Sequence, residues 1–220
     1  MSFFEPYTLS EIMTFLIRGL GTTLLIAIVS IVLSFFFGAI LGLARFSSKG
    51  LPGIIATCYI DFVRNVPVLI YILFFRMAMP TYIGSFRIPH KQVVSAIIAM
   101  TVFTSSMTAE IIRGGLNGVP KGQWEAAYSL GFSKFQVMKL IILPQAIRNI
   151  LIPMMGQFVS CLKDTSLCQI IGVGELMMNC TVILGRFKYS TQVIVVYAIV
   201  AAIYYIVDVT LIKVSKRIKF

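Results

Sequence analysis

Residues 19–44 form a run of 26 positions without a single charged side chain. About 20 apolar residues cross the hydrocarbon core of a bilayer. This run is therefore long enough to span a membrane, and it limits the chain to folds built around membrane helices. Residues 92–109 and 189–207 are two more uncharged runs. Two further apolar regions are interrupted: 51–79 by Asp61, Arg64, Pro67 and Arg76, and 149–174 by Pro153 and the Lys163-Asp164 pair. The pattern predicts an all-α integral membrane protein with about five transmembrane helices, at roughly 19–44, 52–79 (broken near Pro67), 92–116, 145–173 and 190–212. With 58% hydrophobic and only 12% charged residues, the composition does not suit a soluble domain.

The first run does not read as a removable signal sequence. Such a sequence has an apolar core of about 7 to 15 residues after a basic start, whereas Glu5 and Glu11 precede this one. No fixed-period repeat, low-complexity tail or Pro- and Gly-rich linker divides the chain, so residues 1–220 are expected to form a single transmembrane domain.

Lys and Arg collect on the cytoplasmic flanks of membrane spans. With five spans, one side carries Arg45, Lys49, Arg113, Lys121, Lys134, Lys139, Arg148, Lys213, Lys216, Arg217 and Lys219, which is 11. The other carries Arg18, Arg76, Arg87, Lys91, Arg186 and Lys188, which is 6. The N-terminus is therefore expected outside, with the C-terminus and the loop 118–144 in the cytoplasm. The net charge of +11 is spread over membrane flanks, which suits lipid headgroups and gives no nucleic-acid surface. Cys58, Cys161, Cys168 and Cys180 lack Cys-x-x-Cys spacing and read as buried small hydrophobes, not as disulfides or a metal site.

The loop is the polar island of the chain, and it reads as two short helices with a hinge. Glu125, Ala126 and Ala127 are good helix formers, and Gly131 sits where a left-handed stop is cheapest. Ser133 with Gln136 three residues later forms a capping box that restarts a helix at Lys134, which Pro144 is expected to interrupt.

Glu125-Ala126-Ala127, Gly131 and Ile141-x-Leu143-Pro144, at these spacings, resemble the EAA signature of the membrane subunits of bacterial ABC importers. Ala109-Glu-Ile-Ile-Arg-Gly-Gly before it and Lys163-Asp-Thr-Ser-Leu167 after it are similar to the polar amino acid branch of that family. The resemblance covers roughly residues 19–208. It implies a permease subunit in a bacterial cytoplasmic membrane, whose loop (Trp124, Glu125, Ala126, Ala127, Gly131) couples to a cytoplasmic ATPase dimer. It also implies a second permease copy or relative and an extracytoplasmic substrate-binding protein. This chain would bind no cofactor itself, since ATP and Mg belong to the ATPase.

Charge inside a span costs about 2.5 to 3.5 kcal/mol even on the gentler insertion scale, so it points to a transport path. Lys163 and Asp164 are adjacent, so on a helix they point about 100° apart and each wants its own partner. Those partners are either a zwitterionic substrate, with Thr165 and Ser166 completing polar contacts, or neighbouring helices. Glu110 and Arg113 are spaced to pair with each other near the inner end of the third span, and Glu110 also adjoins the polar run Thr104-Ser-Ser-Met-Thr108. Arg64-Asn65-Val66-Pro67 breaks the second span, which makes Asn65 a candidate contact, since broken helices border substrate sites in transporters. The family's commoner Arg-Gly-Thr-Pro is altered here toward the glutamate and aspartate permeases, while Lys-Asp-Thr-Ser is less typical of that group. The resemblance therefore leaves the cargo among acidic, amide and basic amino acids. Gly172-Val-Gly174-Glu175 reads as a turn, with an outer gate as the alternative, and His90 stands without a second metal ligand.

No Gly-x-x-x-x-Gly-Lys-[Ser/Thr] phosphate loop is present, so no ATPase is encoded. An ion-coupled secondary transporter or channel is the alternative transport class, but neither an inverted repeat nor an acidic ring supports it. An intramembrane enzyme lacks a His-Glu-x-x-His or nucleophile-histidine pattern. No catalytic or metal residue is expected.

Overall fold

The computed structural model describes residue 4 and residues 7–47 and 50–217. Glu5, Lys49 and Lys219 lie outside the described residues, as do the side chains of Lys216 and Arg217. The first apolar run is part of a longer helix, α1 (Leu9–Ser47), of 39 residues. At 1.5 Å per residue this is about 58 Å, well beyond a hydrocarbon core. A capping box starts it: the Thr8 N–H donates to Glu11 Oε2 at 2.8 Å, and the Glu11 N–H donates to Thr8 Oγ1 at 3.3 Å.

The second region is two helices, α2 (Leu51–Arg64) and α3 (Val68–Ala78), with the chain sharply bent over Asn65–Pro67. Pro67 cannot donate a backbone bond and steers the residue before it out of helix, which explains the break. A short antiparallel hairpin, β1 (Tyr82–Ile83) and β2 (Phe86–Arg87), leads to α4 (Lys91–Asn117). The loop that follows holds α5 (Lys121–Ser129) and α6 (Lys134–Gln136).

Pro144 does not interrupt the chain as the sequence suggested. After α6 the backbone widens into a π-turn, Val137–Ile142, and continues directly as α7 (Leu143–Asp164). The Leu143 N–H reaches back five residues to Met138 O. Pro144 then falls in the first turn of the new helix, where its missing N–H breaks nothing. The helical stretch Lys134–Ile171 is consequently 38 residues long. A 3₁₀ segment, Thr165–Ile171, ends at Gly172 in left-handed backbone, and α8 (Leu176–Leu184) and α9 (Ser190–Arg217) complete the chain. Four helices are long and apolar enough to cross a membrane, or five if the bent α2 and α3 count as one. The fold is that of an all-α, multi-pass membrane protein.

The described residues divide into two compact units. One comprises those within 1–30, 68–100 and 159–219. Its core packs Ile12 and Leu16 of α1 with Leu176, Cys180 and Ile183 of α8 and Val196 of α9. The other comprises those within 31–67 and 101–158. Its core joins Ile112 and Leu116 of α4, Ala127 of α5, Val137 and Ile142 of the π-turn and Ala146 of α7. Within this second unit a Cβ at Gly42 would lie 2.6 Å from the Ala109 carbonyl oxygen, so α1 and α4 meet backbone to backbone, as small residues allow in membranes. Phe36, Ile40 and Phe62 are largely exposed. That exposure would be a liability in water and is what hydrocarbon requires.

Candidate functional site

The polar loop folds as its residues dictate. Gly131 has φ +81° and closes α5, a conformation that costs a side chain about 1 to 2 kcal/mol. The Ser133–Gln136 capping box is present with both bonds, the Ser133 N–H donating to Gln136 Oε1 at 2.9 Å. The inward face of α5 is anchored: Ala127 is buried, and Trp124 packs on Phe46 with ring centroids 6.1 Å apart. Its other face is open. Glu125 and Ala126 are exposed, beside Leu130 at 76% and, on α6, Phe135 at 73% exposure. Within the loop these side chains stand exposed on a fixed elbow.

In the same unit, Glu110 of α4 is the centre of an ionic cluster. Arg113 grips it bidentately, Nε and Nη2 each donating at 2.9 Å. Arg45 of α1 adds a contact at 3.0 Å and Arg64 of α2 a looser one at 3.4 Å. Arg45 also donates to Asp61 at 2.8 Å. The i, i+3 pair was legible in the sequence; the gathering of Arg45, Asp61 and Arg64 was not, because these come from two other helices. Asn65 caps α2, with its Nδ2 donating to the Asp61 carbonyl at 2.6 Å. The run from Thr104 to Thr108 is packed, not open: Thr104, Ser105, Ser106 and Thr108 are buried, and Ser105 and Ser106 donate to carbonyls of their own helix at 2.8 and 2.7 Å.

The Lys163-Asp-Thr-Ser motif lies in the other unit, at the change from α7 to 3₁₀ backbone. Lys163 Nζ is 3.3 Å from Asp208 Oδ2 of α9. Asp208 is buried, and its Oδ1 has no hydrogen-bond partner among the described residues. Asp164 and Ser166 are half-buried, and neither side chain makes a hydrogen bond among those residues. Thr165 is fully buried, donating to the Leu162 carbonyl at 2.7 Å. Asp208 was missed in the sequence, where the one signal was an acid closing the last apolar run.

The Gly172–Glu175 turn also carries more than expected. Glu175 is fully buried at the N-cap of α8 and accepts from the Met177 and Met178 N–H groups at 2.9 and 2.6 Å. Thr23 of α1 donates to it at 3.5 Å and accepts from the Leu176 N–H at 3.1 Å. Gly19 permits this approach, since a Cβ there would sit 2.9 Å from the Glu175 carbonyl oxygen. Asn179 ties the same helix to the Phe15 carbonyl at 2.7 Å. Burial pushes the Glu175 carboxyl up to about 7, against the opposing pull of the two N–H groups and Thr23. The Tyr204 hydroxyl of α9 is buried beside this carboxyl. Of the four cysteines, Cys161, Cys168 and Cys180 are buried as expected, whereas Cys58 is exposed on α2. Its outward helix face, not its chemistry, decides this.

Residues 34–218 match the family described as binding-protein-dependent transport system inner membrane component. The chain is 37% identical over 219 residues to a probable glutamine ABC transporter permease protein of Bacillus subtilis (strain 168), covering all of this chain and 98% of that one. It is 39% identical over 196 residues to a probable amino-acid ABC transporter permease protein of the same organism, covering 89% and 83%. Among solved structures, an amino acid ABC transporter described with histidines is similar at TM-score 0.80 and 29% identity, with 94% of each chain covered.

Proposed function

The chain belongs to the family of inner membrane components of binding-protein-dependent transport systems, and from that premise we propose that it is the permease subunit of an importer for a polar amino acid. An amino acid ABC importer permease is a transport component and not an enzyme, and it sits in the inner membrane with several spans. Its family requires an ATPase, a binding protein and a second permease. We further propose the finer arrangement: two permeases, identical or related, on an ATPase dimer that holds ATP and Mg, with the loop of α5 and α6 and the C-terminus in the cytoplasm. The cargo we propose has an amide, acidic or basic side chain, of which the amide is supported by the glutamine named for one relative.

The observation that carries this reading is the elbow of α5 and α6. Trp124 and Ala127 fasten it to the helix core, while Glu125, Ala126, Leu130 and Phe135 are left exposed, with Lys139 Nζ 5.8 Å from the centre of the Phe135 ring. A partner pressing on these side chains would move a rigid element, since Gly131 and the capping box fix its angle. Glu125→Lys or Gly131→Arg should therefore leave membrane insertion intact and ATP hydrolysis running, while amino acid uptake falls at least about tenfold. Normal uptake with either variant would remove the coupling role.

For the passenger, Asp164 is the leading residue. Its half-buried carboxylate has no hydrogen bond within the described chain and would take the ammonium of an amino acid, with Thr165 and Ser166 beside it. Lys163 would meet the carboxylate on leaving Asp208. Glu110 and Asn65 are weaker candidates, the first already held by three guanidinium groups and the second by its own helix end. Replacing Asp164 with Asn should raise KM for uptake about tenfold with little change in the amount of assembled complex. Unchanged KM and selectivity over a panel of labelled amino acids would leave the pair a structural feature.

A further inference from the structure

Among the described residues Arg45, Arg64 and Arg113 share Glu110, and Lys163 meets Asp208. The hairpin between α3 and α4 gathers basic residues around a space with no acid. Arg76 in the last turn of α3, Arg87 on β2, His90 and Lys91 at the start of α4 line one cavity of about 560 Å³, together with Thr81 and Gln92. No acidic side chain lines it. Among the described residues, none of these four basic side chains makes an ion pair or hydrogen bond. Arg76 and Lys91 are half-buried, which seats one wall of the cavity on α3 and α4, while Arg87 and His90 are exposed at its rim.

Gathering like charges around a space costs Coulomb energy that a bound anion would recover. We propose that this cavity is an anion site for a phosphate group, supplied by the headgroup of an anionic phospholipid or by free inorganic phosphate. The volume lies within the range of about 300 to 1,000 Å³ that small ligands occupy. Two guanidinium forks, an ammonium and an imidazole offer more donors than the two oxygens of a carboxylate can accept, and the forks match phosphate oxygens in pairs. Position favours the lipid source. Arg76 ends one apolar helix and Lys91 begins the next, which puts the cavity at the level where headgroups lie in either leaflet. The exposed Tyr82 on the hairpin is the residue type that settles at that depth.

The test uses the full-length chain in its assembled transporter, mixed in detergent with equal amounts of phosphatidylglycerol and phosphatidylcholine and read by native mass spectrometry. Wild type should retain phosphatidylglycerol over phosphatidylcholine by about tenfold. Arg76→Gln/Arg87→Gln should bring the two lipids to parity, and Arg76→Lys/Arg87→Lys should keep most of the preference. Arg87 is exposed on the hairpin, so Arg87→Gln alone tests the site without touching α3, and it should lose several-fold of the preference. If inorganic phosphate displaces phosphatidylglycerol from wild type and not from the Gln variants, free phosphate is the ligand; if it does not displace it, the lipid is. Equal phosphatidylglycerol retention by wild type and the Gln variants, with no effect of phosphate, overturns the proposal. So does a Gln variant that keeps its lipid and loses only its response to the binding protein, since the cavity would then receive an acidic protein surface.

Discussion

Glu110 and Glu175 are both carboxylates withdrawn from water on helices, and they are held in opposite ways. Glu110 is surrounded by three guanidinium groups from α1, α2 and α4. Glu175 meets no cation among the described residues; the first N–H groups of its own helix and the Thr23 hydroxyl receive it. The first arrangement needs the charge, because removing it leaves three arginines facing one another. The second needs the oxygen atoms and tolerates the charge only at a cost, which is why burial lifts the Glu175 carboxyl to about 7. Keeping the shape while deleting the charge should therefore separate them.

The largest effect is expected at Glu110. Glu110→Gln should destabilise the folded chain by about 2 to 3 kcal/mol, at the lower edge of what breaking a buried ion pair costs because Arg64 and Arg113 remain partly hydrated. Thermal unfolding in detergent reads this directly, and a Tm equal to wild type would mean that the cluster is dispensable. At Glu175 the same substitution should cost less, about 1 to 2 kcal/mol at neutral pH, because Gln keeps one of the two oxygens that the Met177 and Met178 N–H groups use and turns its NH2 toward the other. Its signature is in the pH profile. A folded carboxyl that titrates near 7 holds its proton more tightly than an unfolded one near 4.5. The stability it contributes is thus complete below about pH 4.5 and is lost as pH rises to about 7. Wild type should lose Tm across that window and Glu175→Gln should not; parallel profiles would mean that Glu175 is not the titrating group. The smallest effect belongs to Thr23→Val, which removes one acceptor from the Leu176 N–H and should cost about 1 kcal/mol. The same substitution in a Glu175→Gln background should cost a different amount if the two groups act as one knot.

Much of this was readable from local chemistry. The apolar runs, the break at Pro67, the Gly131 stop, the Ser133 capping box and the Glu110–Arg113 pair all depend on residues within a turn or two of one another. What escaped depends on residues far apart in the chain. Nothing local tells that Arg45 and Arg64 converge on Glu110, that Lys163 finds Asp208, or that the turn before α8 buries a carboxyl against Thr23. Pro144 was misread for a different reason. Its rule assumes a regular α-helix upstream, and the chain evades the rule by widening the preceding turn. The anchoring of the α5 loop through Trp124 and Phe46 was likewise hidden, since the two rings are far apart in the chain.

That wide turn at Val137–Ile142 also changes what the gene can lose. A π-turn accommodates one more residue than the α-helical path it replaces. Deleting a single codon inside it would collapse it to ordinary α-helix and leave the faces of α7 where they are. The same deletion a few positions later would swing everything beyond it by about 100° around the axis. Between α6 and α7 the chain thus carries a spare residue, and a scan of one-codon deletions should find one short window of tolerance there.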